Sequence, residues 1–150
     1  MDFPTLKLMK DDFIAYYRNQ DDDGTISNNK FRKLVFEFQI NQSGRDYEAY
    51  LIAYALQGKR EIMNTSPIRL VKYDDNPGTI DIPVNLANLE LKRNDLWQLI
   101  GKPKQLIDFN FLRFQAMKDN NGYISYAVYV DNQDSLTILK ANPSPPAGQD

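Results

Sequence analysis

The side chains that could do chemistry in this chain are carboxylates, lysines, tyrosines and hydroxyls, because its 150 residues include no histidine and no cysteine. A serine–histidine–aspartate triad, an imidazole base, an ordinary zinc site, a thiol nucleophile and an iron–sulfur cluster are therefore excluded. Most of the aspartates stand in turn-forming contexts such as Asp74-Asp75 and 131–134, where a short carboxylate hydrogen-bonds the local backbone. We therefore predict no catalytic residues and no cofactor.

One acidic stretch has the spacing of a metal-binding loop. Oxygen-bearing residues at alternate positions, then a glycine and an apolar residue, follow in the order Asn19, Asp21, Asp23, Gly24, Ile26. In this spacing the stretch resembles the first half of an EF-hand calcium loop. The twelfth position of such a loop needs a bidentate glutamate, but here it is Lys30, and residues 31–40 predict a strand where an EF-hand continues as a helix. We expect a solvated acidic loop that binds neither calcium nor another metal.

The aromatic residues are the second candidate for function. The chain has nine tyrosines and eight phenylalanines, which could line a pocket or form a contact surface, although most are expected in the core. Tyr47, Tyr123 and Tyr129 differ from the rest because they fall at predicted strand ends or on the second side of a strand. Tyrosine is enriched at protein interfaces, so these three are the predicted interface residues.

The elements that must position these residues include a repeated hairpin. Residues 36–54 align without a gap with residues 112–130, and a polar turn lies in the middle of each segment. Alternating apolar residues around a turn rich in Gly, Asn and Asp predict two antiparallel strands in each segment. The sequence leaves two explanations open: a true duplication, which implies a pseudo-twofold repeat of a helix-plus-hairpin unit, or the shared physics of all hairpins.

The second strand of each hairpin is apolar on both sides. The alignment places on one side Tyr50, Ile52, Tyr54, Tyr126, Val128 and Val130, and on the other Ala49, Leu51, Ala53, Ser125, Ala127 and Tyr129. Strands of this kind are covered on both sides, and small residues let a helix or a neighbouring subunit approach closely.

Helix signals precede each hairpin. One helix is expected to begin at Asp11-Asp12 and another at Asn94-Asp95, the latter ending at Gly101 before Pro103. Further strands are predicted at residues 68–73, 79–84 and 136–140. The expected fold is therefore α+β, a mostly antiparallel sheet with two short helices, in a single domain over residues 1–140 with a flexible Pro- and Gly-rich tail at 141–150.

Charge and hydropathy limit the partners. The formal net charge is −2, so no broad cationic field exists and nucleic-acid binding is disfavoured. The longest nearly apolar run, residues 49–56, is too short to span a bilayer, so we expect no membrane partner. The first residues lack a basic start and an apolar stretch, so no secretory signal is predicted and a cytoplasmic protein is expected.

These observations favour a non-enzymatic protein-interaction or structural module that self-associates. One alternative is a small-ligand-binding domain with an aromatic-lined cavity between helices and sheet. Another is an enzyme that uses aspartate, lysine or tyrosine chemistry, which predicts a buried ionisable cluster.

Overall fold

The computed structural model describes residues 1–18, 30–57, 61–62, 67–131, 133–134, 136–139 and 141. Within these residues the chain forms two helices and two antiparallel sheets, so the predicted α+β class is confirmed. The acidic stretch 19–29 and the tail residues 142–150 lie outside the described residues, together with the predictions made for them.

The elements follow one another in the order β1 (Leu6–Met9), α1 (Lys10–Arg18), β2 (Phe31–Ser43), β3 (Asp46–Gln57), β4 (Glu61–Ile62), β5 (Ile68–Arg69), β6 (Val71–Lys72), β7 (Leu89–Lys92), α2 (Arg93–Ile100), β8 (Phe111–Lys118), β9 (Ile124–Val130) and β10 (Leu136–Leu139). Both hairpins occur where the sequence predicts them, as β2–β3 and β8–β9. No helix within the described residues is long and apolar enough to cross a membrane.

The first sheet has the strand order β4-β3-β2-β7, with β5 also paired to β3, and the second has the order β10-β9-β8-β1-β6. The strands that lead into the helices exchange partners. Strand β1 pairs with β8 of the second hairpin, and β7 pairs with β2 of the first. Each half of the chain therefore completes the sheet of the other half, while the duplication itself stays a prediction.

The two sheets are joined at both edges. The predicted strand 68–73 is divided at Leu70, whose backbone N–H donates to the Leu51 carbonyl in the first sheet. The next residue, Val71, already pairs with Lys7 in the second sheet. At the opposite edge, Leu89 of the first sheet bridges to Ala141, just after β10. The chain thus turns a corner between the sheets without a long connection.

The core lies between the two sheets, whose inner faces pack against each other. The rings of Phe36 and Phe114, one from each sheet, have centroids 5.2 Å apart, and those of Phe38 and Tyr126 are 6.2 Å apart. The helices add apolar side chains to the same cluster. The Tyr17 hydroxyl of α1 donates to the carbonyl of Gly101 at the end of α2, which links the two helices.

The ends of α2 follow the predicted chemistry. The carboxylate of Asp95 accepts a hydrogen bond of 3.3 Å from the Lys92 backbone N–H at the start of the helix. At the other end, Gly101 adopts a φ of +91°, and its N–H donates to the Trp97 carbonyl. A positive φ favours glycine, which explains why the helix stops there.

Strand β3 is fully buried on one side only, whereas the sequence predicts a strand covered on both sides. Its buried side is formed by Ala49, Leu51, Ala53 and Ala55, while the tyrosine-containing side, with Tyr50, Ile52 and Tyr54, is only half-buried. In β9, by contrast, Tyr126, Val128 and Val130 do face the core. The gapless alignment therefore equates opposite sides of the two strands, because a shift of one residue reverses every side chain.

Residues 79–84 do not form the predicted strand. They make only isolated contacts, such as the bridge between Thr79 and Asp2. A proline at position 83 cannot donate to a ladder, and its peptide bond with Ile82 is cis. Apolar alternation alone was therefore not sufficient for a strand here.

Candidate functional site

The outward side chains of the second sheet form the candidate site, which we call the outer face. They arise from the alternation along β8, where Leu112 and Phe114 point into the core and are fully buried. Phe111, Arg113 and Met117 therefore point away from the core, since successive residues of a strand face opposite sides.

A row of directly paired residues crosses all five strands of this sheet. From β10 to β6 its members are Leu136, Tyr129, Arg113, Lys7 and Val71. We call these five residues the central row. Arg113 is its middle member, flanked by Tyr129 on one side and Lys7 on the other. The row therefore has aliphatic ends and a cationic centre.

Aromatic rings hold the cations of the outer face in place. The guanidinium carbon of Arg113 lies 4.6 Å from the ring centre of Tyr129 and 5.4 Å from that of Tyr73. The Lys7 ammonium lies 5.4 Å from the ring centre of Phe111, which itself packs on Tyr73 at 5.8 Å. Each cation–π contact stabilises by about 0.5–1 kcal/mol at exposed positions, so these contacts favour the observed positions of the two cations.

Arg113 has no carboxylate partner within the described residues. Its Nε atom is buried and forms no hydrogen bond. The carboxylates in the adjoining turns have other partners: Asp74 accepts from the Asn76 N–H, and Asp131 accepts from the backbone and side chain of Asn110. The Asp74 contact confirms the predicted role of this aspartate in a turn, whereas Asp131 bonds a residue that is distant along the chain. Among the described residues the guanidinium of Arg113 is left with aromatic contacts.

The outer face also concentrates exposed apolar side chains. Of the nine large apolar residues that are exposed in the described part of the chain, five lie on it, namely Val71, Tyr73, Met117, Leu136 and Ile138. On the same face Ser125 and Ala127 are buried, because these small residues lie between larger neighbours on the adjacent strands. Single exposed apolar residues are ordinary on protein surfaces, but a contiguous patch marks an interaction site.

The three predicted interface tyrosines lie in different surroundings. Tyr129 belongs to the central row. Tyr47 is 45% exposed and lines a surface depression of about 730 Å³ beside Asp2 and Ile82. Tyr123 is half-buried in the turn before β9, where its N–H donates to the Asp119 carboxylate. Only Tyr129 lies in the candidate site, and the interface role of all three stays a prediction.

Sequence reasoning missed the other members of the site. The sequence alone gives Lys7 no predicted role, and it predicts Arg113 only as part of the hairpin at residues 112–130. The alternation of apolar and polar residues in β8 could have placed Arg113 on the outside. Its neighbours could not have been found, because Lys7 and Tyr73 reach it only through the pairing of β1 with β8 and β6.

Comparison of the chain with protein-family models, curated proteins and solved structures finds no match. The outer face is therefore interpreted from its own chemistry. Tyrosine, arginine, phenylalanine and methionine, all present on this face, are the residue types enriched at protein interfaces, where lysine and acidic residues are depleted. Lys7, Ser125 and Ala127 depart from this composition, and the latter two are buried between larger side chains.

In the interior the aromatic rings pack against one another. Tyr126 contacts Phe38 and Phe114, with ring centroids 6.2 and 6.3 Å apart, and its side chain is fully buried. Its hydroxyl has no hydrogen-bond partner, and burial raises the pKa of this group. An unpaired buried polar group destabilises a fold by about 1–3 kcal/mol. The Tyr126 hydroxyl is thus a polar group in an apolar environment. The small-ligand cavity stays a prediction, which these contacts do not test.

Replacing Tyr126 with phenylalanine is expected to leave the free energy of unfolding at pH 7 unchanged, or to raise it by about 1 kcal/mol, because the ring contacts remain and the unpaired hydroxyl is removed. The raised pKa means that the folded state favours the neutral phenol. Stability is therefore retained below about pH 10, the pKa of tyrosine in an unfolded chain, and falls above it by up to about 1.4 kcal/mol per pH unit from this group.

Urea unfolding at pH 7 and above pH 10 measures both effects. Y126F should lose less stability at high pH than the wild type, whereas Y47F, which changes an exposed tyrosine, serves as the control. A loss of more than 1 kcal/mol in Y126F at pH 7 would show that the hydroxyl has a partner, in conflict with this interpretation.

Proposed function

We propose that this chain is a non-enzymatic protein-interaction module and that the outer face of the second sheet is its docking surface. The observation that carries the proposal is the concentration of exposed apolar residues there, five of the nine in the described part of the chain. Antiparallel sheets commonly expose one face to water, but such a face then carries polar side chains. Here the exposed side chains are largely apolar, and an apolar face of this kind is stabilised when a partner covers it.

The outer side of the first sheet supports the choice by contrast. Two of its cationic side chains have partners within the chain: Lys33 forms a buried ion pair of 3.1 Å with Glu90, and Arg69 donates to the side chain of Gln39. Cations that are paired internally are not available to bind an anionic group on a partner. The second sheet has the opposite character, since the cations of the central row have no carboxylate partner among the described residues.

The expected self-association stays a prediction, and the charge of the outer face opposes one form of it. In a twofold dimer the same patch of both copies meets. Lys7 and Arg113 of one copy would then lie near those of the other, and like charges in an interface cost free energy. We therefore propose a different protein as the partner at this face. A cytoplasmic location is part of the proposal and rests on the composition of the sequence alone.

The docking surface can be tested with a paired substitution in β10. Leu136 and Ile138 are exposed, so replacing both with threonine keeps strand propensity and removes apolar contact area. A matched control replaces two exposed isoleucines elsewhere, Ile40 and Ile82. Tagged wild-type, L136T/I138T and I40T/I82T proteins are used to capture partners from the native source, with quantification by mass spectrometry and with circular dichroism to check folding.

The expected result is a set of proteins bound by the wild type and the control but reduced at least 10-fold with L136T/I138T, a loss of about 1.4 kcal/mol or more. Equal capture by both variants would refute the assignment of this face. Light scattering of the same proteins at high micromolar concentration adds a second readout. A strict monomer that captures no partner would refute the function as a whole.

A further inference from the structure

We infer that the partner bound by the outer face presents a carboxylate to Arg113, with an apolar side chain on either side of that carboxylate. This inference rests on the proposed function and names the chemical class of the partner: an acidic, apolar protein segment. Three features support it: the charge of the central row, the geometry of Arg113 and the spacing of the residues along the row.

The positive charge of the central row favours an anionic partner. The central row carries Lys7 and Arg113 and no acidic residue, although the chain as a whole has a net charge of −2. A partner that covers these cations with apolar atoms alone would remove them from water without compensation, which strongly opposes binding. An anionic group on the partner removes this penalty.

Arg113 is preorganised to bind a carboxylate. Its guanidinium is stacked on Tyr129 and lies near Tyr73, and its Nε has no hydrogen-bond partner. A guanidinium presents its donors in one plane, which matches the two oxygens of a carboxylate. Because the rings already fix the orientation of that plane, little side-chain entropy is lost on binding. Arginine and tyrosine at the centre of a face are also the residue types that dominate binding energy.

The spacing along the central row places an aliphatic side chain on each side of Arg113. Neighbouring strands lie about 4.8 Å apart, so Arg113 on β8 is about 10 Å from Leu136 on β10 and about 10 Å from Val71 on β6. Both of these end residues are exposed aliphatic side chains, each 47% accessible. A segment that places its carboxylate on Arg113 therefore reaches an aliphatic contact on each side, which favours apolar residues on both flanks of the acid.

Single-stranded nucleic acid is the competing anion, since aromatic side chains and cations on a sheet can also stack bases. Two observations favour a protein segment. The cations already occupy the aromatic rings, with Arg113 on Tyr129 and Lys7 on Phe111. The exposed members at the ends of the row are aliphatic, and aliphatic side chains provide no stacking surface.

A displayed library of random 16-residue peptides, selected on the full-length protein, tests the inference without knowledge of the natural partner. The selected peptides are then measured against the wild type, R113Q, R113K, the L136T/I138T protein and a control, R69Q. Arg69 bonds Gln39 on the first sheet, so R69Q removes the same charge from a different surface. A 20-nucleotide oligothymidylate is the nucleic-acid probe.

The inference predicts selected sequences in which aspartate or glutamate is flanked by apolar residues. Their affinity should fall at least 10-fold with R113Q, fall less with R113K, and stay within 2-fold with R69Q, and wild-type binding should weaken as salt is raised. Loss of binding with L136T/I138T but not with R113Q would overturn the inference and leave the docking face intact. If the affinity of the selected peptides changes with neither R113Q nor L136T/I138T, the assignment of the outer face as the docking surface is overturned as well. Oligothymidylate binding that is lost with R113Q but kept with R69Q would overturn the protein partner in favour of nucleic acid.

Discussion

Replacing Phe114 with alanine is expected to lower the free energy of unfolding by about 3–5 kcal/mol, the range found when a large aromatic side chain is removed from a well-packed core. Phe114 is fully buried and lies at the centre of the interface between the sheets. Its ring contacts Phe36 of the first sheet at 5.2 Å and Tyr126 of its own sheet at 6.3 Å. The cavity left by alanine therefore removes contacts from both sheets at once.

The neighbouring phenylalanine on the same strand provides the control. Phe111 lies on the outer face, where it contacts Tyr73 and Lys7. F111A should therefore destabilise by only about 1 kcal/mol, as expected for a half-exposed aromatic contact. Chemical denaturation at pH 7 compares the two variants directly. Equal losses for F111A and F114A would mean that the inner and outer sides of β8 have been assigned incorrectly.

The second large effect is expected at Gly78, where alanine should destabilise the fold by about 2–4 kcal/mol through backbone strain and steric overlap combined. Gly78 has a φ of +60°, and a Cβ atom placed there would lie 2.2 Å from the carbonyl oxygen of Phe3. That segment cannot move away easily, because the Phe3 N–H donates to the Gly78 carbonyl and the Phe3 side chain is buried in the core.

Gly44, in a different turn, is the control that separates backbone strain from steric overlap at Gly78. It has nearly the same φ, +64°, but nothing lies within 4 Å of the position of an added Cβ. G44A should therefore report the backbone strain alone, about 1 kcal/mol, and G78A should exceed it. Thermal and urea unfolding of both variants measures the difference. A G78A protein no less stable than G44A would show that the turn and the N-terminal segment are not in contact.

Local patterns in the sequence predicted the parts of the fold that local physics decides. The two hairpins, the start and end of α2 and the turn aspartates depend on alternation, capping and side-chain hydrogen bonds between neighbours in sequence. The prediction of a strand at 79–84 was wrong because it relied on the pattern of apolar residues, although Pro83 cannot donate a hydrogen bond to a neighbouring strand. The alignment of the hairpins equates opposite sides of β3 and β9, because the pairing registers of the two hairpins differ by one residue.

The candidate site was less predictable for a physical reason. Tyr129 could be predicted because it lies on a strand that is apolar on both sides. Its place in the candidate site, however, depends on Arg113, its neighbour on β8, and on Lys7, the next residue in the central row. These residues come together through antiparallel pairing between strands that are far apart along the chain. No local rule states which strands pair. The cationic centre of the outer face is therefore a product of topology and not of a motif.

The exchange of lead-in strands has a consequence for the order of folding. Strand β1 is made first but pairs with β8, so Lys7 meets Arg113 only after on the order of 100 further residues have been synthesised. Contacts of such long range form slowly, because the entropy of closing the chain must be overcome before they stabilise it. A chain released before β8 leaves Leu6 and Leu8 without their partners in the second sheet. The central row exists only once both halves have closed on each other, so its presence reports that the second hairpin has folded onto β1.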